Sequence, residues 1–356
     1  MSYFTTDTRS VSESKEAAQR IAFGPMVFQA TRALRDLGIL DALEAAGAAG
    51  LTLDDIVAQV RLSPYGVRVL VEAGLGIGLI ITDGGRYTIT RTALFVLHDA
   101  MTRVNMDFVH DVNYKGLYHL QDSIVQGKPV GLRELDRDKP TVYQALATLP
   151  DQTRRSWFNF EHFCSAQAFH EVLPLVFARP IRSLLDVGAN TGKWALACAE
   201  YSADVAVTMC DLPAQLEMAL ENVARSGYAG RIAGYSVDLL ARESTLPGGH
   251  DVIWMSQFLD CFSESEIVSI LEKAVRAMSA ESKLLVLETY WDRQLYENAA
   301  FCLQQISLYF TCIANGNSQL YHSSVMYDCI NRAGLRIESE MDRLGIAHTL
   351  TVCVRQ

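Results

Sequence analysis

Two rhythms of apolar and polar positions divide this chain. Residues 16–46 carry Ile21, Met26, Val27, Ala30, Leu34, Leu37, Leu40 and Leu43 at helical spacing, which predicts a helical pair broken at Gly38. The polar residues before it, 1–15, predict a frayed end. Thr52 with Asp55 three residues on reads as a variant capping box, and Ser63-Pro64 as an N-cap with proline at the first helical position. Residues 80–89 hold two β-rich runs around Asp83-Gly84-Gly85, a hairpin signal. From residue 181 the rhythm changes. Apolar runs at 183–187, 205–211, 235–239, 250–256 and 282–288 are short and continuous, as strands covered on both faces should be, and helical patterns separate them. After them, 293–312 reads as a long helix, 323–333 as a helix ended by Gly334, and 335–340 with 348–354 as a closing strand pair.

Strand and helix alternating through 181–356 predict an α/β domain with a doubly wound, mostly parallel sheet. Helix, turn, helix and hairpin over 1–100 form a winged-helix pattern. The stretch 101–180 between them is largely helical and rich in aromatics; these read chiefly as core, and His110, His119, His162 and His170 as structural. The expected domains are therefore 1–100, 101–180 and 181–356.

Composition narrows the functions. The 356 residues carry a formal net charge of −10, which suits neither the phosphate backbone of nucleic acid nor an anionic membrane. No apolar run approaches the roughly 18 residues that cross a bilayer. The first residues lack a charged segment followed by an apolar one, so no secretory signal is read. The eight cysteines are scattered, without a Cys-x-x-Cys pair, as reduced thiols of a cytoplasmic protein would be. Neither they nor the eight histidines have zinc-ligand spacing, so no metal is expected.

The chemistry centres on residues 183–194, where a buried strand runs into Gly188-Ala189-Asn190-Thr191-Gly192 and then a helix beginning at Lys193. Glycines let a backbone approach a ligand, and a helix start offers free N–H groups. Asn190 stands where a third glycine would serve, and Asn tolerates positive φ. The second strand ends in Asp211, 23 residues past Gly188, where a carboxylate can accept ribose hydroxyls. The third run ends in another acid, Asp238. A dinucleotide dehydrogenase would place Gly-x-Gly-x-x-Gly in the loop and is the poorer fit.

The series Asp186-Val187-Gly188-x-x-x-Gly192, Asp211-Leu212-Pro213 and Asp238 resembles the class I S-adenosylmethionine-dependent methyltransferases. Asp-Leu-Pro and the helix after it resemble the O-methyltransferase branch that acts on phenols and small aromatic metabolites. The resemblance spans nearly the whole chain. It implies a Rossmann-like seven-stranded catalytic domain behind an N-terminal winged-helix dimerisation domain, hence a homodimer. Gly188 and Ala189 would then lie against the methionine portion of the cofactor, with Asp186 fixing the loop or the cofactor's amino group. Asp211 would take the ribose hydroxyls, Leu212 and Leu239 the adenine ring, and Asp238 the adenine amine. Ser256 and Gln257 would close over the cofactor, and S-adenosylhomocysteine would be the product. Plant-type relatives place a catalytic His in a Leu-His-Asp-Trp motif after the fourth strand. Here Asp260 falls at that place, a departure that leaves Asp260, or His322 near the acceptor pocket, as the candidate base. The stretch 310–323 resembles methyltransferases of bacterial aryl-polyene pathways, some of which methylate a ring carbon beside a phenol.

The resulting expectation is methylation, at oxygen or ring carbon, of a small phenolic or aryl-acyl acceptor, free or carried on a protein, in bacterial secondary metabolism. Two rivals stand beside it. One is a rearrangement or cyclisation on the same fold, permitted by the missing His. The other is a winged-helix regulator that senses a ligand. Against the second, residues 1–100 hold 9 Lys and Arg against 11 Asp and Glu, where a DNA reader needs a basic face.

Overall fold

The computed structural model describes residues 4–146 and 148–356. The chain separates into a unit ending at Asp107 and a unit of Phe108–Gln356.

The first unit begins with helices Val11–Ala22, Gly24–Asp36 and Ile39–Ala46. Of the frayed end expected over 1–15, residues 1–3 lie outside the described residues, and a helix begins at Val11. Ser10 and Glu13 form a capping box, which satisfies orphan amides and opens the helix at Val11. Gly38, at φ 77°, makes the expected break, and a second break falls at Phe23, just before Pro25. Leu34, Leu40 and Leu43 are fully buried, whereas Ile21 and Met26, which share the same helical spacing, are 78% and 68% exposed. Thr52–Asp55 closes the capping box of helix Leu53–Val60, and the Gly66 amide donates to Ser63 Oγ at 3.1 Å to start helix Pro64–Ile77. Strands β1 (Ile80–Asp83) and β2 (Arg86–Ile89) pair antiparallel as the hairpin. Leu34, Ile39, Leu40, Ile56, Val67 and Val71 share one core.

The second unit carries a seven-stranded sheet of β3 (Ser183–Val187), β4 (Ala206–Asp211), β5 (Ile232–Ser236), β6 (Val252–Ser256), β7 (Lys283–Thr289), β8 (Leu335–Leu344) and β9 (His348–Arg355). The order is β5-β4-β3-β6-β7-β9-β8; β9 runs antiparallel to both neighbours and the other pairings are parallel. The chain winds outward from β3 in both directions. The carboxyl ends of β3, β4 and β6 therefore border the topological switch point, where open α/β sheets bind ligands. Each face of the sheet has its own core. Trp194 stacks on Trp254 on one face, with ring centroids 4.1 Å apart, while Ile253, Met255 and Val286 pack on the other.

Two elements shift from their sequence reading. The third strand of the domain ends at Ser236, so Asp238 stands in the loop beyond it, where its Oδ1 accepts the Leu240 amide at 2.9 Å. The helix expected over 293–312 is Glu297–Tyr309 followed by a wide turn, Phe310–Ala314. The amides of Asn315 and Gly316 both donate to the Phe310 carbonyl, which ends the helix. Among the described residues, no helix is long and apolar enough to cross a membrane.

Candidate active site

Two cavities meet at the carboxyl ends of β3, β4 and β6. The larger has a volume of about 310 Å³ and the smaller about 70 Å³. Glu161, Gly188, Asn190 and Gln257 line both.

The loop after β3 is built for close approach. Gly188 has φ 78°, and a Cβ there would stand 2.3 Å from the Phe258 ring. Asn190 adopts φ 51°, the conformation that lets Asn replace a glycine, and its amide donates to Asp211 Oδ2 at 2.7 Å. The Leu212 amide donates to Asp211 Oδ1, also at 2.7 Å. The carboxylate ending β4 is thus fixed by two amides while facing the larger cavity. Burial raises Asp211 to about 6, against those two hydrogen bonds. Leu212, Asp238 and Leu239 line the same cavity.

The smaller cavity holds several polar atoms awaiting partners. Asp186 Oδ2, Asn190 Oδ1, Ser256 Oγ and the indole nitrogens of Trp194 and Trp254 are buried without a hydrogen bond. Buried polar groups are almost always paired, so this set fits a small ligand with both donors and acceptors. Burial, then the charge of Asp211, raises Asp186 to about 8. Ala189 and Gln257 complete the wall, with Gln257 at φ 48°. The structure therefore brings Asp186, Gly188, Ala189, Asp211, Leu212, Asp238, Leu239, Ser256 and Gln257 together on the two cavities.

The two candidate bases lie elsewhere. Asp260 is 6% exposed in the turn Leu259–Cys261 and lines neither cavity; its neighbour Cys261 does. Glu288 receives the amides of Phe258 and Leu259 on Oε1, and burial raises both Asp260 and Glu288. His322 caps helix Ser323–Arg332, accepting the Ser324 amide on Nδ1 at 3.1 Å. Its Nε2 is 3.7 Å from Asp292, and its ring meets Trp291 edge-on. It is absent from both cavity walls.

The rest of the larger cavity is aromatic and amide-lined, with Tyr143, Trp157, Phe258 and Phe262 beside Asn315 and Asn317. Trp157 is anchored by its indole, which donates to the Tyr309 hydroxyl at 2.6 Å. One turn after it, on helix Asp151–Val176, stands Glu161. Sequence reasoning passed over Glu161; the available signal was a lone acid inside the aromatic run from Trp157 to Phe163. Among the described residues, no group of three His, Cys, Asp or Glu could hold a metal ion.

Residues 15–87 match the Dimerisation2-like domain, and residues 147–328 match the O-methyltransferase domain. An L-tyrosine C(3)-methyltransferase of Streptomyces lavendulae is 21% identical over 322 residues, covering 90% of this chain and 86% of that protein. Among solved structures, the S-adenosylmethionine-dependent methyltransferase SibL in its apo form superposes with a TM-score of 0.72 at 22% identity, covering 95% of this chain and 98% of its own. An O-methyltransferase of neocarzinostatin biosynthesis, in complex with S-adenosylmethionine and 2-hydroxy-5-methyl naphthoic acid, gives 0.65 at 19% identity, covering 94% and 96%. At these identities the structural likeness establishes the fold.

Proposed function

The chain belongs to the O-methyltransferase domain family, and on that premise we propose that it methylates a small phenolic or aryl-acyl acceptor, at oxygen or ring carbon. The observation that carries this reading is the junction of the two cavities. A polar end with unpaired atoms opens, past Gly188, into an aromatic chamber bordered by the fixed carboxylate of Asp211. S-adenosylmethionine supplies a methyl group made electrophilic by its sulfonium. Asp211 accepts the ribose hydroxyls, Leu212 and Leu239 cover the adenine, and Asp238 meets its amine. Asp186, Ser256 and Gln257 receive the amino-acid end, and Gly188 and Ala189 let the backbone lie against it. Holding both reactants in line supplies much of the rate.

The wall of the larger cavity carries Glu161, Asp211, Asp238 and Glu266, and among the described residues no Lys, Arg or His. With Asp211 and Asp238 taken by the cofactor, Glu161 and Glu266 remain on the acceptor side, and no basic side chain among the described lining residues can pair with an acceptor carboxylate. The acceptor is therefore neutral or positively charged overall: an ester, a thioester or an amine-bearing phenol. The Streptomyces relative is a C(3)-methyltransferase, which supports ring carbon beside oxygen as the target. Asp260 acts from behind Cys261 as a positioning group, and His322 as a helix cap.

The assembly is a homodimer through the N-terminal unit. The match to the Dimerisation2-like domain supports it, as does helix Val11–Ala22, which buries no residue and leaves Val11 and Ile21 exposed.

Calorimetric titration with S-adenosylmethionine and S-adenosylhomocysteine tests the cofactor assignment. Micromolar binding, roughly −8 kcal/mol, is expected, and absence of binding would remove it. Product mass with neutral phenols then separates methylation from rearrangement, which leaves the acceptor mass unchanged.

A further inference from the structure

Glu161 has no part in the cofactor contacts assigned above. Yet it lines both cavities, a position it shares with Gly188, Asn190 and Gln257 alone among the described residues. These four mark the mouth where the methionine end opens into the acceptor chamber, the place through which a transferred methyl must pass. Given the methyl-transfer reading, we propose that Glu161 is a catalytic residue whose carboxylate takes the proton of the acceptor hydroxyl at this mouth.

The surroundings suit that task. Trp157, one turn earlier and tied to Tyr309, fixes this face of the helix. Among the described residues no hydrogen bond or ion pair occupies the Glu161 carboxyl; only its backbone carbonyl is engaged, accepting from Ser165 Oγ. The group is free for an incoming hydroxyl. The acid at the position expected of the base, Asp260, lines neither cavity, and neither does His322.

The groups facing Glu161 come from every side. They are Asp260 and Cys261 from the turn after β6, Tyr309 from helix Glu297–Tyr309, and Tyr143 across the larger cavity. His162 and Cys164 adjoin it on its own helix, and Asp186 and Lys193 line the smaller cavity with it. Burial, and then the charge of Asp260, push the Glu161 carboxyl up to about 8. At neutral pH the free protein therefore holds it mostly as the acid. A sulfonium at the mouth favours the carboxylate, because an opposite charge nearby stabilises the ionised form. Glu161 thus gives up its proton when the methyl donor binds and can accept one from the acceptor. The neutral thioether product removes the cation, and the carboxyl retains the proton it has taken.

The step balances. The acceptor O–H bond breaks, and its proton passes to a Glu161 carboxylate oxygen. The acceptor oxygen forms its bond to the methyl carbon as the sulfur–carbon bond breaks, leaving the electron pair on sulfur. With a ring carbon as nucleophile, that carbon forms the bond to the methyl instead, and its own proton then passes through water to the acceptor oxygen, which restores both the aromatic ring and the hydroxyl.

The test compares wild type with Glu161→Gln and Glu161→Asp. S-adenosylmethionine and S-adenosylhomocysteine are titrated calorimetrically at neutral pH in two buffers of different ionisation enthalpy, and kcat is measured against pH by product mass. Wild type should release close to one more proton with the sulfonium ligand than with the thioether. Glu161→Gln should bind both ligands, lose that difference, and lose kcat by on the order of 100-fold or more. Glu161→Asp should keep the extra proton release, with kcat reduced by the retracted carboxylate on the order of 100-fold. A glutamine variant with unchanged kcat, pH profile and proton release would overturn the assignment. If that variant does not fold, the aspartate variant decides, and an unchanged kcat there overturns it too. Failure of the wild type to bind the donor or form product would instead sink the methyl-transfer reading on which this one rests.

Discussion

The Asn190 amide lies 2.7 Å from Asp211 Oδ2, so the glycine loop after β3 and the carboxylate ending β4 are held as one unit. Removing that carboxylate has two effects. It takes away the acceptor proposed for ribose hydroxyls and releases two amides that hold the loop. Asp211→Ala should weaken S-adenosylmethionine binding by at least tenfold, since a hydrogen bond to a charged group contributes about 1.5–3 kcal/mol. Calorimetric titration reads the loss, and near wild-type affinity would sink the ribose assignment.

Gly188 and Phe258 form the second linked pair. A methyl group at Gly188 would meet the Phe258 ring at 2.3 Å, on a backbone at φ 78°. Gly188→Ala should lower stability by about 1–2 kcal/mol from the left-handed backbone alone, with more from the clash. Adding Phe258→Ala should relieve the clash but not the backbone cost. A double-mutant cycle of melting temperatures checks this, and strict additivity would contradict it.

Stability should fall as pH rises from about 6.5 to about 8 in the absence of ligand. Glu161 and Asp186 are both raised to about 8 by burial, so the folded state binds more protons than the unfolded one in this window. Their stabilising effect is complete below the unfolded pKa and is lost as pH passes through the folded value. Buried His162 and His348 are lowered to about 4, and their opposite effect fades as the unfolded imidazoles lose their protons above about 6.5, leaving it the smaller one across this window. Thermal melts across the window test this. A rise in melting temperature there would contradict it. Glu161→Gln should flatten the slope.

Acceptor charge gives a further prediction. With no basic side chain among the described residues on the wall of the larger cavity to pair with a carboxylate, a phenolic acid should be methylated more slowly than its methyl ester by on the order of tenfold, about 1.4 kcal/mol. Competition between acid and ester, followed by product mass, decides, and preference for the free acid would refute the charge argument.

Much of the strand and loop geometry at the cavities was legible because its signals are local. The strand-loop-helix at β3, the acid ending β4 and the tolerance of Asn190 for positive φ each depend on a few adjacent residues, and each is present in the structure. Capping at Thr52 and Ser63 was readable for the same reason. The acceptor side depends on long-range packing. Glu161 reaches the cavity mouth because Trp157 is tied to Tyr309, 152 residues away in sequence. Asp260 lies behind the wall because the preceding amides turn inward to Glu288. The exposure of Ile21 and Met26 was also hidden, since helical spacing predicts an apolar stripe but not what covers it.

The most direct test of methyl transfer uses S-adenosylmethionine with a trideuterated methyl group, incubated with the protein and a panel of neutral and amine-bearing phenols. A product carrying all three deuterium atoms is expected together with stoichiometric S-adenosylhomocysteine, and fragmentation then assigns the label to oxygen or ring carbon. An acceptor consumed without gaining the label, while the protein binds S-adenosylmethionine, would contradict methyl transfer and leave a rearrangement on the same fold.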